Sequence, residues 1–276
     1  PDIISLNSYS MDSEYEILNT KRDSSLKKRF LRFGSEKEYS ASIFSFNSGS
    51  QTNVSDILAA STHGKTYGNT FEYEVVFPDK LNKDSPFYSP TTFATASIAG
   101  VRGTHPLPAG TTTWLEHQND SGSFDLKVAR PGLHTKDAKF SLSSSHFGLT
   151  LTSSVYKEVY NDSKWNFSIT VKPSNYPLMN IVSGASDSSN YELGFYGINT
   201  LGDYTVNEFY LTQSVTKTKA EQFLASSKRL YAGASKTNFT GSVIFYSDVD
   251  IGAVRYYDKF IANSDIKNHS IDMKNI

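Results

Sequence analysis

Phe71-Glu72-Tyr73-Glu74-Val75-Val76-Phe77 is the stretch on which the fold reading turns. Alternate side chains of an extended chain point to opposite faces, so Phe71, Tyr73, Val75 and Phe77 share one face while Glu72 and Glu74 take the other. That is the pattern of a strand with one face in a core and the other in water, and Pro78 ends it because proline cannot donate to a ladder. Outward from this stretch the same period of two recurs at Phe124, Leu126 and Val128, at Phe147, Leu149 and Leu151, and at Trp165, Phe167, Ile169 and Val171, closed by Pro173. Tyr191 to Ile198, Glu208 to Leu211, Leu230 to Ala234, Ser242 to Tyr246 and Ile251 to Tyr257 read as further strands, divided by Gly, Asn, Asp and Ser clusters.

Many short strands without a repeat at solenoid or propeller periods predict one all-β domain, a two-sheet antiparallel jelly-roll sandwich. Aromatic residues make up 13% of the chain, mostly Tyr and Phe, which suits pleated, half-buried surfaces. Helical composition is confined to Lys217 to Ser226 and to Ser264 to Ser270, where Ser264 is placed to cap; both are expected to be short and peripheral. Residues 1–24 carry mixed charge and no sustained period and read as an N-terminal arm or linker, leaving 25–276 for the sandwich. The segment Asn82 to Thr113, rich in proline and glycine, reads as long loops around a short strand near Phe93 to Val101.

At 276 residues, 38% of them hydrophobic, the chain is long enough to bury a sizeable core. Lys and Arg total 27 against 28 Asp and Glu, a net charge of -1 that offers no general attraction to nucleic acid or to anionic membranes. With no cysteine, disulfides, thiolate metal sites and thiol nucleophiles are excluded. No run reaches the roughly 20 apolar residues that span a bilayer, and no membrane insertion is expected. The opening Pro1 and the ending Met273 to Ile276 suggest a processed chain or a piece of a longer one.

Three pieces, in order, resemble the laminin G-like and concanavalin A-like family. Phe30-Leu31-Arg32-Phe33-Gly34 with Glu38 to Ile43 is similar to the opening strand pair; Phe71 to Pro78 and Trp165 to Pro173 are similar to later strands. Leu230-Tyr231-Ala232-Gly233-Ala234, Phe239-Thr240-Gly241, Asp250 to Tyr257 and Ser264-Asp265-Ile266 resemble the family's ending. The wording Ser247-Asp248-Val249-Asp250 through Asp258-Lys259-Phe260-Ile261, with Ile271-Asp272 after it, resembles the variant found in virion structural proteins of tailed phages. The resemblance implies the concanavalin A-like jelly roll and, for function, a fold that hosts lectins, glycosidases, adhesion modules and capsid decorations.

Candidate chemistry is sparse. A retaining glycosidase needs two carboxylates about 5 Å apart on one strand face, and Glu72 and Glu74 have the spacing, but a solvated strand face accounts for them better. The histidines His63, His105, His117, His134, His146 and His269 never fall at i, i+2 or i, i+4, so no zinc site is written locally. Gly100, Gly103 and Pro106 lack the Lys-Ser/Thr of a phosphate loop and read as a turn. Asp187, Asn190 and Asp203 are the candidates for a rim Ca²⁺, against the plainer reading that such side chains satisfy loop backbone. Tyr88, Trp114 and Tyr196 are candidates for sugar stacking, against a core reading for each. Six Asn-x-Ser/Thr triplets, among them Asn53, Asn161, Asn166 and Asn238, are matched by a composition rich in those residues, and Asn166 falls inside an expected strand.

The reading that follows is a non-enzymatic structural or surface-presenting protein of a virion, a phage head decoration, neck or tail component. It requires no cofactor or metal, and its partners are other virion or surface proteins within an oligomeric assembly. The alternative is a carbohydrate-binding or adhesion module whose partner is a glycan. Either places the protein on a virion or an extracellular surface, with no nucleic acid partner. The ligand-binding residues stay unassigned.

Overall fold

A computed structural model describes residues 2–4, 16–19, 29–32, 41–45, 67–79, 95–104, 124–132, 135–176, 190–225, 227–233, 235–236, 243–245, 249–257 and 259–272. The strands are β1 (Asp2–Ile4), β2 (Glu16–Asn19), β3 (Arg29–Arg32), β4 (Ala41–Ser45), β5 (Asn69–Phe77), β6 (Thr95–Thr104), β7 (Phe124–Ala129) and β8 (Lys139–Ser144). They continue as β9 (Leu149–Thr152), β10 (Ser163–Pro173), β11 (Asn190–Leu201), β12 (Tyr204–Thr216), β13 (Ser227–Ala232), β14 (Ser235–Lys236), β15 (Val243–Phe245) and β16 (Asp250–Tyr257). Two described helices, α1 (Lys217–Ala225) and α2 (Asn263–Ile271), complete the set.

The strands form a two-sheet antiparallel sandwich of the jelly-roll class, as their alternation predicts. The larger sheet runs β12-β11-β10-β5-β16-β3-β2, with β1 on the other half of β16; the smaller runs β4-β13-β6-β7-β8-β9, and β14 with β15 makes a separate ladder. Alternation decides which residues fill the space between the sheets. Phe71, Tyr73, Val75 and Phe77 of β5 and Trp165, Phe167, Ile169 and Val171 of β10 meet Phe124, Leu126 and Val128 of β7 and Phe140 and Leu142 of β8. The centre is aromatic: Phe140 lies 4.6 Å from Trp165, 4.8 Å from Phe167 and 5.6 Å from Phe77, ring centre to ring centre. Each such buried side chain contributes roughly 1.5–3 kcal/mol through the water it sheds.

Several local expectations change. Phe147 lies outside β9, in the turn that Gly148 closes, and stacks on Phe124; Leu149 and Leu151 are only half buried. α1 is not peripheral. It buries Ala220, Phe223 and Leu224, and Phe223 touches Phe71 of one sheet and Phe124 of the other, so the helix plugs one end of the core. Ser264 is not the cap of α2: Ala262 holds that position with no side-chain hydrogen bond, and Ser264 lies within the helix. β12 extends well beyond Glu208 to Leu211, and the strand expected near Phe93 to Val101 spans Thr95–Thr104. Within residues 1–24, Asp2–Ile4 pairs with β16 and Glu16–Asn19 with β3, as an arm packed on the sandwich would.

What positions the candidate site is the segment after β16. It turns back over the outer face of the larger sheet, where Thr70 Oγ1 donates to Lys259 O at 3.0 Å and accepts from Ile261 N–H at 3.0 Å. α2 then crosses towards the far ends of β10 and β11, where Lys164 Nζ and Thr200 Oγ1 both donate to Ser270 O. Residues 259–272 thus form a strap. Beneath it Ile261 and Ile266 pack with Tyr196, Ile198 and Tyr257 in a second apolar cluster.

Candidate functional site

Under the strap lies Glu72, whose side chain points to the outer face because Phe71 and Tyr73 on either side point into the core. The expectation that Glu72 and Glu74 form a solvated face is corrected: both are fully buried. Oε1 of Glu72 accepts from Arg255 Nη1 and from Asn166 Nδ2, each at 2.7 Å; Oε2 accepts from Tyr257 Oη at 3.2 Å and meets His269 Nδ1 at 2.9 Å. Register explains part of the convergence, since Arg255 of β16 and Ser168 of β10 flank Glu72 directly, with Asn166 and Tyr257 one diagonal step away. His269 comes from α2. Burial, and after it the Glu72 charge, pushes the Tyr257 phenol well above the ordinary tyrosine range, so it stays a donor.

A carboxylate holding four donors in a sealed site has no lone pair left for a substrate, and water cannot reach it. Chemically the cluster is a lock that fixes strap to sheet. Asn166 is part of it, which removes that triplet from glycan attachment.

The opposite end of the same outer face is partly exposed among the described residues. In register, Glu192 of β11 stands between Lys172 of β10 and Ser214 of β12. Lys172 Nζ lies 3.5 Å from Glu192 Oε1 and 5.0 Å from the centre of the Phe260 ring, and Tyr176 meets that ring edge-on at 5.4 Å. Tyr210 Oη donates to Glu192 Oε1 at 3.0 Å, and Tyr67, which gives its carbonyl to Phe260 N–H, completes the rim. Tyr67 and Tyr210 are 39% and 43% exposed, which leaves ring surface in water. Burial of its hydroxyl end, then the Glu192 charge and hydrogen bond, raises the Tyr210 pKa above the usual range.

The residues singled out from sequence fare differently. Tyr196 is in the apolar cluster under the strap, its hydroxyl donating to Glu208 Oε1 at 2.8 Å, so it is no stacking platform; Tyr88 and Trp114 lie outside the described residues. Asn190 opens β11 and Asp203 follows its end, about 40 Å apart at strand rise, so these two cannot share an ion; Asp187 lies outside the described residues. His146 bonds Lys219 O through Nε2 and His269 serves the lock, while His63, His105, His117 and His134 are outside the described residues, as are Asn53, Asn238 and Pro106. Gly100 belongs to β6 and faces Tyr231 and Asp125 in register, so it is strand and not the expected turn; Gly103 is in the same strand. Among the described residues no group of three or more His, Asp or Glu side chains is placed to hold a metal, and no helix is long and apolar enough to cross a membrane. The rim residues Tyr67, Lys172, Tyr176, Glu192, Tyr210 and Phe260 were not anticipated, because the strap and three strands assemble them.

No family model matches the chain, and no curated protein matches it in sequence. Among solved structures it is similar to the enzymatically active domain of bacteriophage CBA120 tailspike protein 2, at 10% identity and a TM-score of 0.47, over 98% of this chain and 33% of that one. It is similar to the CBM40 of Ruminococcus gnavus IT-sialidase, bound to alpha2,3 sialyllactose, at 12% identity and a TM-score of 0.38, over 84% and 96% of the two chains. A third likeness is the CBM2 module of the evolved Dit of Lactobacillus casei BL23 phage J-1, at 10% identity and a TM-score of 0.34, over 72% and 64%. This chain spans a third of the tailspike chain.

Proposed function

We propose that the chain is a non-enzymatic, surface-presenting component of a virion that works through protein–protein contacts. The observation that carries this reading is the tip of the β11–β12 hairpin, where Leu201, Tyr204 and Val206 are 71%, 80% and 54% exposed. Large apolar side chains gathered at one projecting edge lose water favourably only against a partner. Two further points support it. The best-spaced carboxylates, Glu72 and Glu74, are sealed away from any substrate, and the segment from Ser247 to Asp272 resembles the ending of virion structural proteins. The partner is a neighbouring protein of the same particle. Imaging the native particle and sedimenting the isolated chain test this: the expected result is a place in a symmetric assembly that Tyr204→Asp weakens, and a chain that is absent from any particle and indifferent to that substitution refutes it.

A second reading, a carbohydrate-binding module, is favoured by one specific feature. The Phe260 ring beside Lys172 and the Tyr210 ring beside Glu192 flank an ion pair whose side chains are 13% and 30% exposed, with Tyr176 on the edge of Phe260. Rings beside hydrogen-bonding charges are the two kinds of surface that a sugar, apolar on its C–H faces and polar at its hydroxyls, can use together.

A further inference from the structure

We propose that the rim centred on Lys172 and Glu192 binds a neutral pyranose of a polysaccharide. The inference rests on the carbohydrate-binding reading and gives that reading a place and a ligand class.

The Tyr210 ring is the platform. A Cβ at residue 194 would lie 3.0 Å from Tyr210 Oη, 3.1 Å from its Cε2 and 2.5 Å from Thr170 Oγ1, so the glycine at that position lets the ring extend across β11 along the sheet. Its hydroxyl is then tied to Glu192 Oε1, and the Tyr196 ring meets it edge-on at 6.4 Å. A ring anchored at its hydroxyl and from one side keeps other surface in water and has little rotamer freedom left to lose when a ligand arrives. The C–H face of a pyranose is the apolar surface that packs on such a ring.

The polar half of the site selects the sugar. Lys172 offers N–H donors and Glu192 offers acceptor oxygens, 3.5 Å apart, a donor beside an acceptor that two neighbouring hydroxyls can bridge. Phe260 beneath the ammonium and Tyr176 on the edge of Phe260 hold the lysine end in place. Because ammonium and carboxylate offset one another, the pair gives no net attraction to an acidic sugar, and the hydrogen-bonding pair serves uncharged hydroxyls instead. Selection for a neutral sugar follows from charge.

The test is affinity electrophoresis of the full chain through gels cast with dextran, galactan or mixed-linkage β-glucan, and in parallel with polygalacturonate or alginate. Retardation is expected in at least one neutral gel and in neither acidic one. Tyr210→Ala is expected to weaken it about tenfold, the scale of one aromatic contact, and Glu192→Gln by a similar factor, while Lys139→Ala, at an exposed position on β8 of the other sheet, leaves it unchanged. Circular dichroism confirms that each variant is folded, and Tyr210→Phe, which keeps the ring, is expected to retain most of the binding. Binding that survives both Tyr210→Ala and Glu192→Gln overturns the site but leaves the carbohydrate-binding reading standing. Binding to the uronates alone overturns the ligand class, and no retardation in any gel overturns both.

Discussion

Replacing Glu72 by glutamine tests the lock that holds the strap. The substitution keeps volume and shape but removes the charge that Glu72 sets against Arg255, whose side chain is 3% exposed and whose guanidinium lies 2.7 Å from the carboxylate. It also turns one acceptor into an NH₂ group that must face either the Arg255 and Asn166 donors or Tyr257 and His269. Removing one partner of a buried ion pair costs about 3–5 kcal/mol, because the surviving charge stays desolvated. Set against a total stability of about 5–15 kcal/mol, that is a large fraction. Urea unfolding followed by circular dichroism should show the midpoint falling with little change in slope. Hydrogen exchange should rise first in α2, which the lock ties down through His269. The double variant Glu72→Met with Arg255→Met, which removes both charges, should be less destabilised than Glu72→Gln alone. A loss below about 1 kcal/mol for Glu72→Gln, the worth of one ordinary hydrogen bond, would refute the argument that this carboxylate is a buried counter-ion of Arg255.

Alkali should unfold the protein in a window set by its buried phenols. Burial raises the pKa values of Tyr73, Tyr196, Tyr210 and Tyr257 above the ordinary tyrosine value, and that of Tyr160 to about 12. A phenol whose folded pKa is raised contributes stability that is complete below its unfolded value of about 10 and is lost as pH climbs above it. Stability should therefore stay level with respect to these groups up to about pH 10 and decline beyond, with part of the phenolate absorbance appearing only as the chain unfolds; full tyrosine ionisation before any loss of circular dichroism would contradict this. Gly68→Ala should be strongly destabilising, since Gly68 has φ 73° and a Cβ there would lie 2.2 Å from Val171 O. The left-handed backbone adds about 1–3 kcal/mol for a side chain that does not fit it, and an unchanged melting temperature would show that the β5 entry turn is free to rearrange.

How much was legible in the sequence follows from the range of each interaction. Alternation is local, so Phe71 to Phe77, Phe124 to Val128 and Trp165 to Val171 announce their strands and their inward faces within a few residues, and a chain made of such segments closes as a sandwich. Helix α1 shows the limit of composition, which announces the helix but not its burial. Lys217 to Ser226 reads as a short peripheral helix, yet Ala220, Phe223 and Leu224 are buried in the core where the chain passes from β12 of one sheet to β13 of the other.

The outer face was misread for a reason of distance. Period two says only that Glu72 and Glu74 point away from the core; whether that side is wet depends on what the rest of the chain lays over it, and the covering His269 is 197 residues further on. Tyr196 likewise reads as a candidate platform until Ile261 and Ile266 are placed over it. The rim follows the same logic, since Lys172, Glu192 and Tyr210 become neighbours only through the registers of β10, β11 and β12, and Phe260 only through the return of the strap. The sequence by itself determined the strands and inward faces of β5, β7 and β10, because these depend on neighbours two residues apart, whereas β8 with its core residues Phe140 and Leu142 was not among the strands it announced. Which outward side chains are sealed and which meet solvent was decided by tertiary structure alone, because burial is set by chain segments far apart in sequence.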